Sequence, residues 1–425
     1  MENNNENLKN SNSENSSFFE QKVSSSNGNE GQPRIRFSEY KSFYKIKKIG
    51  DIYSERSERG NESLQLLSVT MNDGVKLRSE LDGKDNSSED KSNYKKVCVG
   101  DMVYNSMRMW QGANGISAFE GIVSPAYTVL KPEVNINNEY FVKLFKNTKL
   151  INNFRKNSQG LTSDTWNLKY QQIAPIKIKI PEINEQNKIA DFLSLVDKRI
   201  EKQRQLVESL KKYKRGLLSA IFERKIKFSN QEWSTFKIKN LGSFYNGLSG
   251  KNKDDFGIGN DKFITYMNVY KNTIAEAEMC EKVFIKNNEK QNKVEYGDIL
   301  FTQSSETLEE VGFSSVWLGE NTPYLNSFCF GFKLFNKNNF SPLFLSYYLR
   351  SYNIRKLIMR EGQGVTRVNL SAERLKDITI KIPSIVEQNK IANFIFGYDK
   401  EINIEEMILK KLELTKKSLL QQMFI

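Results

Sequence analysis

Two stretches of the chain place apolar residues at alternating steps of four and three. The first stripe runs Ile189, Leu193, Val196, Ile200, Gln203, Val207, Leu210, Lys214, Leu217 and Ile221. The second runs Ile391, Ile395, Tyr398, Ile402, Glu405, Leu409, Leu412, Lys416, Leu419 and Met423. That period is the a/d seam of a long helix that buries one face against another helix. Each stripe is apolar at eight of ten positions, and the polar interruptions fall at the same two places in both. The 33 residues from Ile189 to Ile221 predict a rod of about 50 Å at about 1.5 Å per residue.

Elsewhere the pattern changes to short apolar runs such as "GDMVYNS", "FITYMNVY", "GDILFTQ" and "FCFGFKLF", separated by Gly, Asn, Lys and Asp. These predict strands and turns. One helix is predicted in each β-rich region, "NEYFVKLFKN" near Tyr140 and "SPLFLSYYLRSYNIRKLI" near Leu345, each followed by a Gly-containing polar loop.

The two halves are related. Residues 176–222 align with 378–424 at a constant offset of 202, without a gap, with 21 identities over 47 positions. "YKIKKIG" (Tyr44–Gly50) matches "FKIKNLG" (Phe236–Gly242) at offset 192, and "VGDMVY" (Val99–Tyr104) matches "YGDILF" (Tyr296–Phe301) at offset 197. A drifting offset is what related domains with loops of different length produce. The predicted order is a tail over 1–32, a β-rich mixed α/β domain over 33–175 and a repeated helix over 176–226. A second such domain over 227–377 and the second repeated helix over 378–425 complete it. The fold class is α+β, with the two helices paired as an antiparallel coiled coil about a pseudo-two-fold axis. Antiparallel pairing would set Gln203 near Glu405 at mid-seam. The alternatives are a parallel pair, or each helix packed on its own domain.

Composition narrows the chemistry. The formal charge is +13, from 64 Lys plus Arg against 51 Asp plus Glu. Residues 1–32 carry five Glu and two Lys, so the rest is more basic still, which points to a polyanion partner. Their Asn, Ser and Glu content predicts a disordered tail. Histidine is absent, which removes the commonest general base, catalytic triads and most zinc sites. Cys98, Cys280 and Cys329 have neither metal nor disulfide spacing. No metal site and no catalytic residue is assigned. No apolar run has membrane length, and "MENNNENLKN" has no signal-peptide pattern, so a cytoplasmic location is expected.

The element "P-x-I-x-E-Q-N-K-I-A-x-F" runs into a Lys-rich heptad helix at Pro181 and again at Pro383, each time after a β-rich domain. In this it resembles the specificity (S) subunits of type I restriction-modification systems. "PRIRF" at 33–37, "LLSAIFERKIKF" at 217–228 and "NGLSGKNKDDFGIGNDKFITYMNV" at 246–269 agree in order. The resemblance implies a non-catalytic reader of double-stranded DNA. Each domain would be a target recognition domain for half of a split site, and the helices would be spacers that dock two modification (methyltransferase) subunits. It implies no cofactor on this chain. S-adenosylmethionine would belong to the modification subunit, and ATP and Mg to a restriction and motor subunit. A rod longer than one turn of DNA, about 34 Å, would let two readers address half-sites about a turn apart.

Three groups of residues are candidates for DNA contact. The loop "NSMRMWQGAN" offers Arg108, Trp110 and Gln111, where Arg suits guanine and Gln adenine; Trp110 as a core residue is the alternative. "FRKNSQG" offers Arg155, Lys156 and Gln159, and its counterpart "MREGQGVTRVN" offers Arg360, Gln363, Arg367 and Asn369. A purely geometric role for the shared Gln-Gly pair competes with base reading. Lys251 and Lys253 are candidate phosphate contacts. The same "NGLSGKN" is no phosphate loop, because Tyr245 and Asn252 stand where Gly and Ser or Thr are required. "FGIG" lacks a third glycine, and "NTPY" departs from the Asn-Pro-Pro-Tyr of adenine methyltransferases at Thr322. A methyltransferase or nuclease in its own right, and a coiled-coil interaction protein without DNA specificity, are the competing functions.

Overall fold

A computed structural model of the chain describes residues 23–25 and 32–425, apart from 60–62, 72, 73, 86 and 365. The tail expected to be disordered over 1–32 lies outside the described residues except at two places. Gln32 is described, and Val23–Ser25 form a short strand on Ile35–Phe37, which corrects the expectation there. The chain divides into two compact units, Met1–Arg204 with Met407–Ile425, and Gln205–Glu406.

In the first unit, β-branched and aromatic residues build a four-stranded antiparallel sheet. Its order is Tyr53–Glu55, Tyr127–Pro132, Met102–Asn105, Asn114–Ile116. Two helices follow, Asn138–Leu144 and Thr148–Asn157, started by Asn137 and Asn147, whose side chains accept from backbone N–H groups of the first turns. Tyr53, Phe141, Phe145 and Phe154 fill the core with Leu193, Met423 and Phe424. The second unit repeats the plan, with a sheet in the order Gly242–Asn246, Cys329–Leu334, Ile299–Thr302, Ser314–Val316. Its core takes in Leu217, Ile221, Phe222, Ile391 and Ile395.

Four expectations are corrected. The helix near Tyr140 is followed by a second, Thr148–Asn157, whose last turn carries Arg155 and Lys156, so these two are not on the loop. The single helix near Leu345 is two, Pro342–Leu349 and Tyr352–Arg360, because Ser351 adopts extended backbone between them. "FITYMNVY" is only partly strand: after Ile264 the side chain of Thr265 caps a helix over Tyr266–Lys271. The repeated segments are not helical from their first residues. Lys177–Ile180 pairs with Lys45–Lys48, and Thr379–Ile382 with Ser234–Lys237, before the helices start at Ile183 and Ile385. Pro181 and Pro383 separate strand from helix in each.

The long helices, Ile183–Phe222 and Ile385–Gln422, run antiparallel within each unit. In the first, Lys416 pairs with Asp197 at 2.6 Å and Arg204 with Glu413 at 2.9 Å. In the second, Lys214 pairs with Asp399 and Lys211 with Glu406. The seam residues from Ile189 to Ile221 and from Ile391 to Met423 are all buried or half-buried. The second polar interruption of each stripe thus has a reason. Lys214 and Lys416 are the cations of interhelical ion pairs whose acids, Asp399 and Asp197, stand 202 residues apart like the lysines themselves. Asp197 is also bound by Lys143, whereas Asp399 accepts instead from the hydroxyl of Tyr347 at 2.5 Å. Burial works against ionisation of Asp197, but the two lysines hold its carboxyl below its usual range.

The repeated Glu-Gln-Asn fixes each helix to its unit. Gln186 accepts from the backbone N–H of Asn137 and donates to the carbonyl of Pro181; Gln388 accepts from that of Ser341 and donates to the carbonyl of Pro383. Glu185 is buried and takes a two-pronged ion pair from Arg36, at 2.7 and 2.8 Å, plus the Tyr44 hydroxyl at 3.1 Å. That hydrogen bond raises the Arg36 pKa. The second unit differs: aligning "RKIKF" with "PRIRF" puts exposed Lys227 in the place of Arg36, and Phe236 stands for Tyr44. Glu387 there has the indole N–H of Trp233 at 3.4 Å. Among the described residues no helix is long and apolar enough to cross a membrane.

Two outcomes are expected. Arg36→Ala should strand a buried carboxylate and cost the first unit about 3–5 kcal/mol, seen as faster amide exchange over residues 35–55 and 183–193. For Asp197, whose folded pKa is depressed, the sign is that its contribution is present above about pH 4 and is lost as pH falls through the lowered value. Lys416→Met should flatten that acid-side loss in a melting series.

Candidate nucleic-acid interface

In the first unit, the chain leaving Met102–Asn105 makes a helical turn over Met109–Gln111 and reverses at Gly112, whose φ is +87°. Met109 is buried under the turn, which leaves Arg108 exposed and Trp110 and Gln111 half-buried. A second loop lies beside it. Gln159 and Asn167 exchange backbone hydrogen bonds at 2.9 and 2.7 Å, and Leu168 donates from its backbone to the carbonyl of Ser106 at 2.8 Å. The loop closes at Gly160, with φ +141°, where a side chain would strike the carbonyl oxygen of Thr165.

This contact brings the candidates together. The indoles of Trp110 and Trp166 meet edge to face with centroids 5.3 Å apart, and the guanidinium of Arg155 lies 5.0 Å over the Trp166 ring. Trp110 donates to the carbonyl of Met107 at 3.0 Å. It is therefore a half-buried brace of the surface cluster, neither core nor free probe. Arg155, Lys156 and Gln159 are exposed beside it. Trp166 was missed by sequence reading, although an aromatic in the polar run "GLTSDTWN" carried the same signal as Trp110.

The second unit builds the same frame with other side chains. Gln363 and Asn369 exchange backbone bonds at 2.9 and 2.7 Å, Leu370 donates to the carbonyl of Gln303 at 2.8 Å, and Gly364 has φ +123°. The Gln-Gly pair is thus a geometric device common to both units. Arg360, Gln363, Arg367 and Asn369 are exposed on or next to it. Arg367 lines a cavity of about 340 Å³ with Tyr266, Tyr270, Ser304, Glu306, Glu310 and Phe328.

The neighbouring loop is chemically inverted. Where the first unit has Arg108 and Trp110, the second has "SSETLEEVG", with Glu306 and Glu309 exposed. A buried cation, Arg355, holds this acidic loop, and the half-buried Arg350 ties the strand after it to the helix at Tyr266–Lys271. Arg355 donates to the carbonyls of Glu309, Val311 and Gly312, and Arg350 to those of Ser314, Val269, Tyr270 and Asn272. Their guanidiniums lie 4.4 and 5.0 Å from the Phe313 ring, and burial pushes both pKa values down to about 10. Sequence reading did not single out this loop.

Lys251 is corrected. Its side chain is 3 % exposed and bonds to Glu289 at 2.5 Å and to the carbonyl of Phe284 at 2.7 Å, so it cannot reach a phosphate as it stands. The Lys251 and Gln291 side chains hold the Glu289 carboxyl down to about 2. Lys253 is exposed on a turn capped by Asn252.

The chain is similar to known proteins throughout this framework. It is 23 % identical over 364 residues to a Methanocaldococcus jannaschii protein assigned as the type I restriction enzyme MjaX specificity subunit, covering 79 % of this chain and 80 % of that one. Its fold matches the S subunit of a type I restriction-modification system from M. genitalium with a TM-score of 0.51 at 14 % identity, over 93 % of this chain and 99 % of the other. It also matches a chain from a structure described as the basis of complex assembly and conformational transition of the type I R-M system. There the TM-score is 0.58 at 12 % identity, over 89 % and 96 %. Residues 86–212 and 230–414 match the family described as the type I restriction modification DNA specificity domain. Two copies of that domain, each spanning a helix entrance and at least three strands of a four-stranded sheet, make this chain a member of that family, a non-catalytic DNA specificity subunit of a type I restriction-modification system.

Proposed function

We propose that the two units read the two halves of one gapped DNA site, each through the pair of loops joined by the Gln-Gly frame. The observation that carries this is the same backbone frame bearing opposite chemistry. Arg108 and Gln111 suit guanine and adenine edges in the first unit, while the exposed Glu306 and Glu309 suit the amino groups of cytosine or adenine in the second. Arg155, Lys156, Lys253, Arg360 and Arg367 supply phosphate attraction, which positions without reading sequence. Two unlike readers imply a site whose halves differ.

The long helices then serve as spacer and dock. They expose large apolar side chains, Leu195, Met407 and Leu414 in the first unit and Leu206, Tyr213 and Ile404 in the second. Apolar side chains left in water along a helix favour a protein partner. The repeat of the helix and its Glu-Gln-Asn entrance in both units supports two modification subunits per chain, with restriction and motor subunits added in the full complex. In this reading S-adenosylmethionine, ATP and Mg are held by those partners, and the assembly works in the cytoplasm.

Exchanging Arg34–Ala174 for the equivalent region of another family member tests the independence of the readers. In complex with modification subunits, methylation should move to a site with one half altered, and the other half and the gap retained; alteration of both halves would refute it. Single changes give a finer measurement. Arg108→Ala should relax discrimination at one base pair by about 1–3 kcal/mol, and Arg155→Ala should reduce the salt slope of binding by about 1, whereas Lys251→Met should leave that slope unchanged.

A further inference from the structure

The ion pairs between the long helices fall into two kinds once compared at the 202-residue offset. The outer kind is repeated unchanged: Asp197 with Lys416, and Asp399 with Lys214. The inner kind is repeated with its charges reversed. In the first unit Arg204 of the first helix meets Glu413 of the second at 2.9 Å. In the second unit the corresponding contact is between Glu406, which stands where Arg204 stands, and Lys211, which stands where Glu413 stands, at 2.7 Å.

The consequence follows by exchanging helices. Pairing the first helix with a second copy of itself in the same antiparallel register would keep Asp197 opposite Lys214, so the outer pairs allow it. The inner position would then set Arg204 against Lys211 twice. A pair made of two second helices would likewise keep Asp399 opposite Lys416 but set Glu406 against Glu413 twice. Only unlike helices satisfy every position. Flanking charges of this kind choose partners in coiled coils, because like charges across a seam repel about as much as unlike charges attract.

We infer that Arg204, Lys211, Glu406 and Glu413 form a charge code that pairs the first long helix with the second and rejects pairing between like helices of different copies. The apolar seams discriminate less, because the two stripes both carry Ile, Leu or Val at six of ten matching positions. All four charged side chains are partly exposed, between 37 % and 51 %, so each pair is weak alone and screened by salt. Acting together, they should change the preference between pairings on the order of tenfold at low salt. The partner each helix is built to accept is thus the other helix of this chain.

The test keeps the full chain and its net charge. R204E/E406R exchanges two residues without altering composition. It turns both unlike contacts into like-charge ones and makes each helix complementary to itself. At low salt this variant should melt about 2–4 °C below wild type and form dimers that increase with concentration in light scattering. Adding K211E/E413K interchanges the whole code, restores unlike charges between the two helices, and should recover the wild-type midpoint and mass. Loss in the double variant with recovery in the quadruple supports the code. A double variant that melts as wild type, or a loss that the quadruple does not recover, overturns it.

Discussion

Each unit depends on helix ends drawn from distant sequence. Phe424, Met423 and Leu420 complete the aromatic core of the first unit, and Phe222, Ile221 and Leu217 that of the second. Tyr140 meets Phe424 at 5.2 Å, and Asn147 donates to the carbonyl of Leu420, so the turn between the first unit's two short helices is closed by the last turn of the chain. In the second unit Phe222 packs on Phe344 and Tyr348. Fully burying such a side chain contributes roughly 1.5–3 kcal/mol. Neither reader is therefore a separable bead beside a coiled coil; the helices are part of both cores.

This dependence explains why so much was legible in the sequence. A helix that must satisfy a partner along one face and a core at both ends has few free positions. Its stripe, Pro181 and Pro383, and the Glu-Gln-Asn entrance accordingly stand out. The Lys interruptions were visible as faults at Lys214 and Lys416, but their acids at Asp399 and Asp197 were not, because ion pairing across an antiparallel seam depends on register. The first strands of the repeated segments, Lys177–Ile180 and Thr379–Ile382, were hidden for a related reason. Their ladder partners, near Lys45 and Ser234, lie more than a hundred residues away.

The interface was less legible. Residue type pointed to Trp110 and Arg155, which the structure gathers around Trp166, and to Arg108, which is exposed on the same turn as Trp110. It misjudged Lys251, because a lysine in a Gly-flanked loop reads as exposed until Glu289 is seen to hold it. The acidic loop at Glu306–Glu310 carries no pattern in the sequence that sets it apart from other polar turns. Its correspondence with the Arg108 loop, and the buried Arg355 that holds its backbone, are visible only in the fold. The chemical contrast between the units lies in side chains set on a common frame, which composition averages away.

The central claim is that one chain delivers two different half-site readings at one spacing. Methylation mapping across a genome, in cells supplying this chain with its modification subunits, tests it most directly. A single methylated motif of two dissimilar halves separated by a fixed run of unspecified bases is expected. A contiguous motif, two identical halves, or methylation without any gapped motif would contradict it.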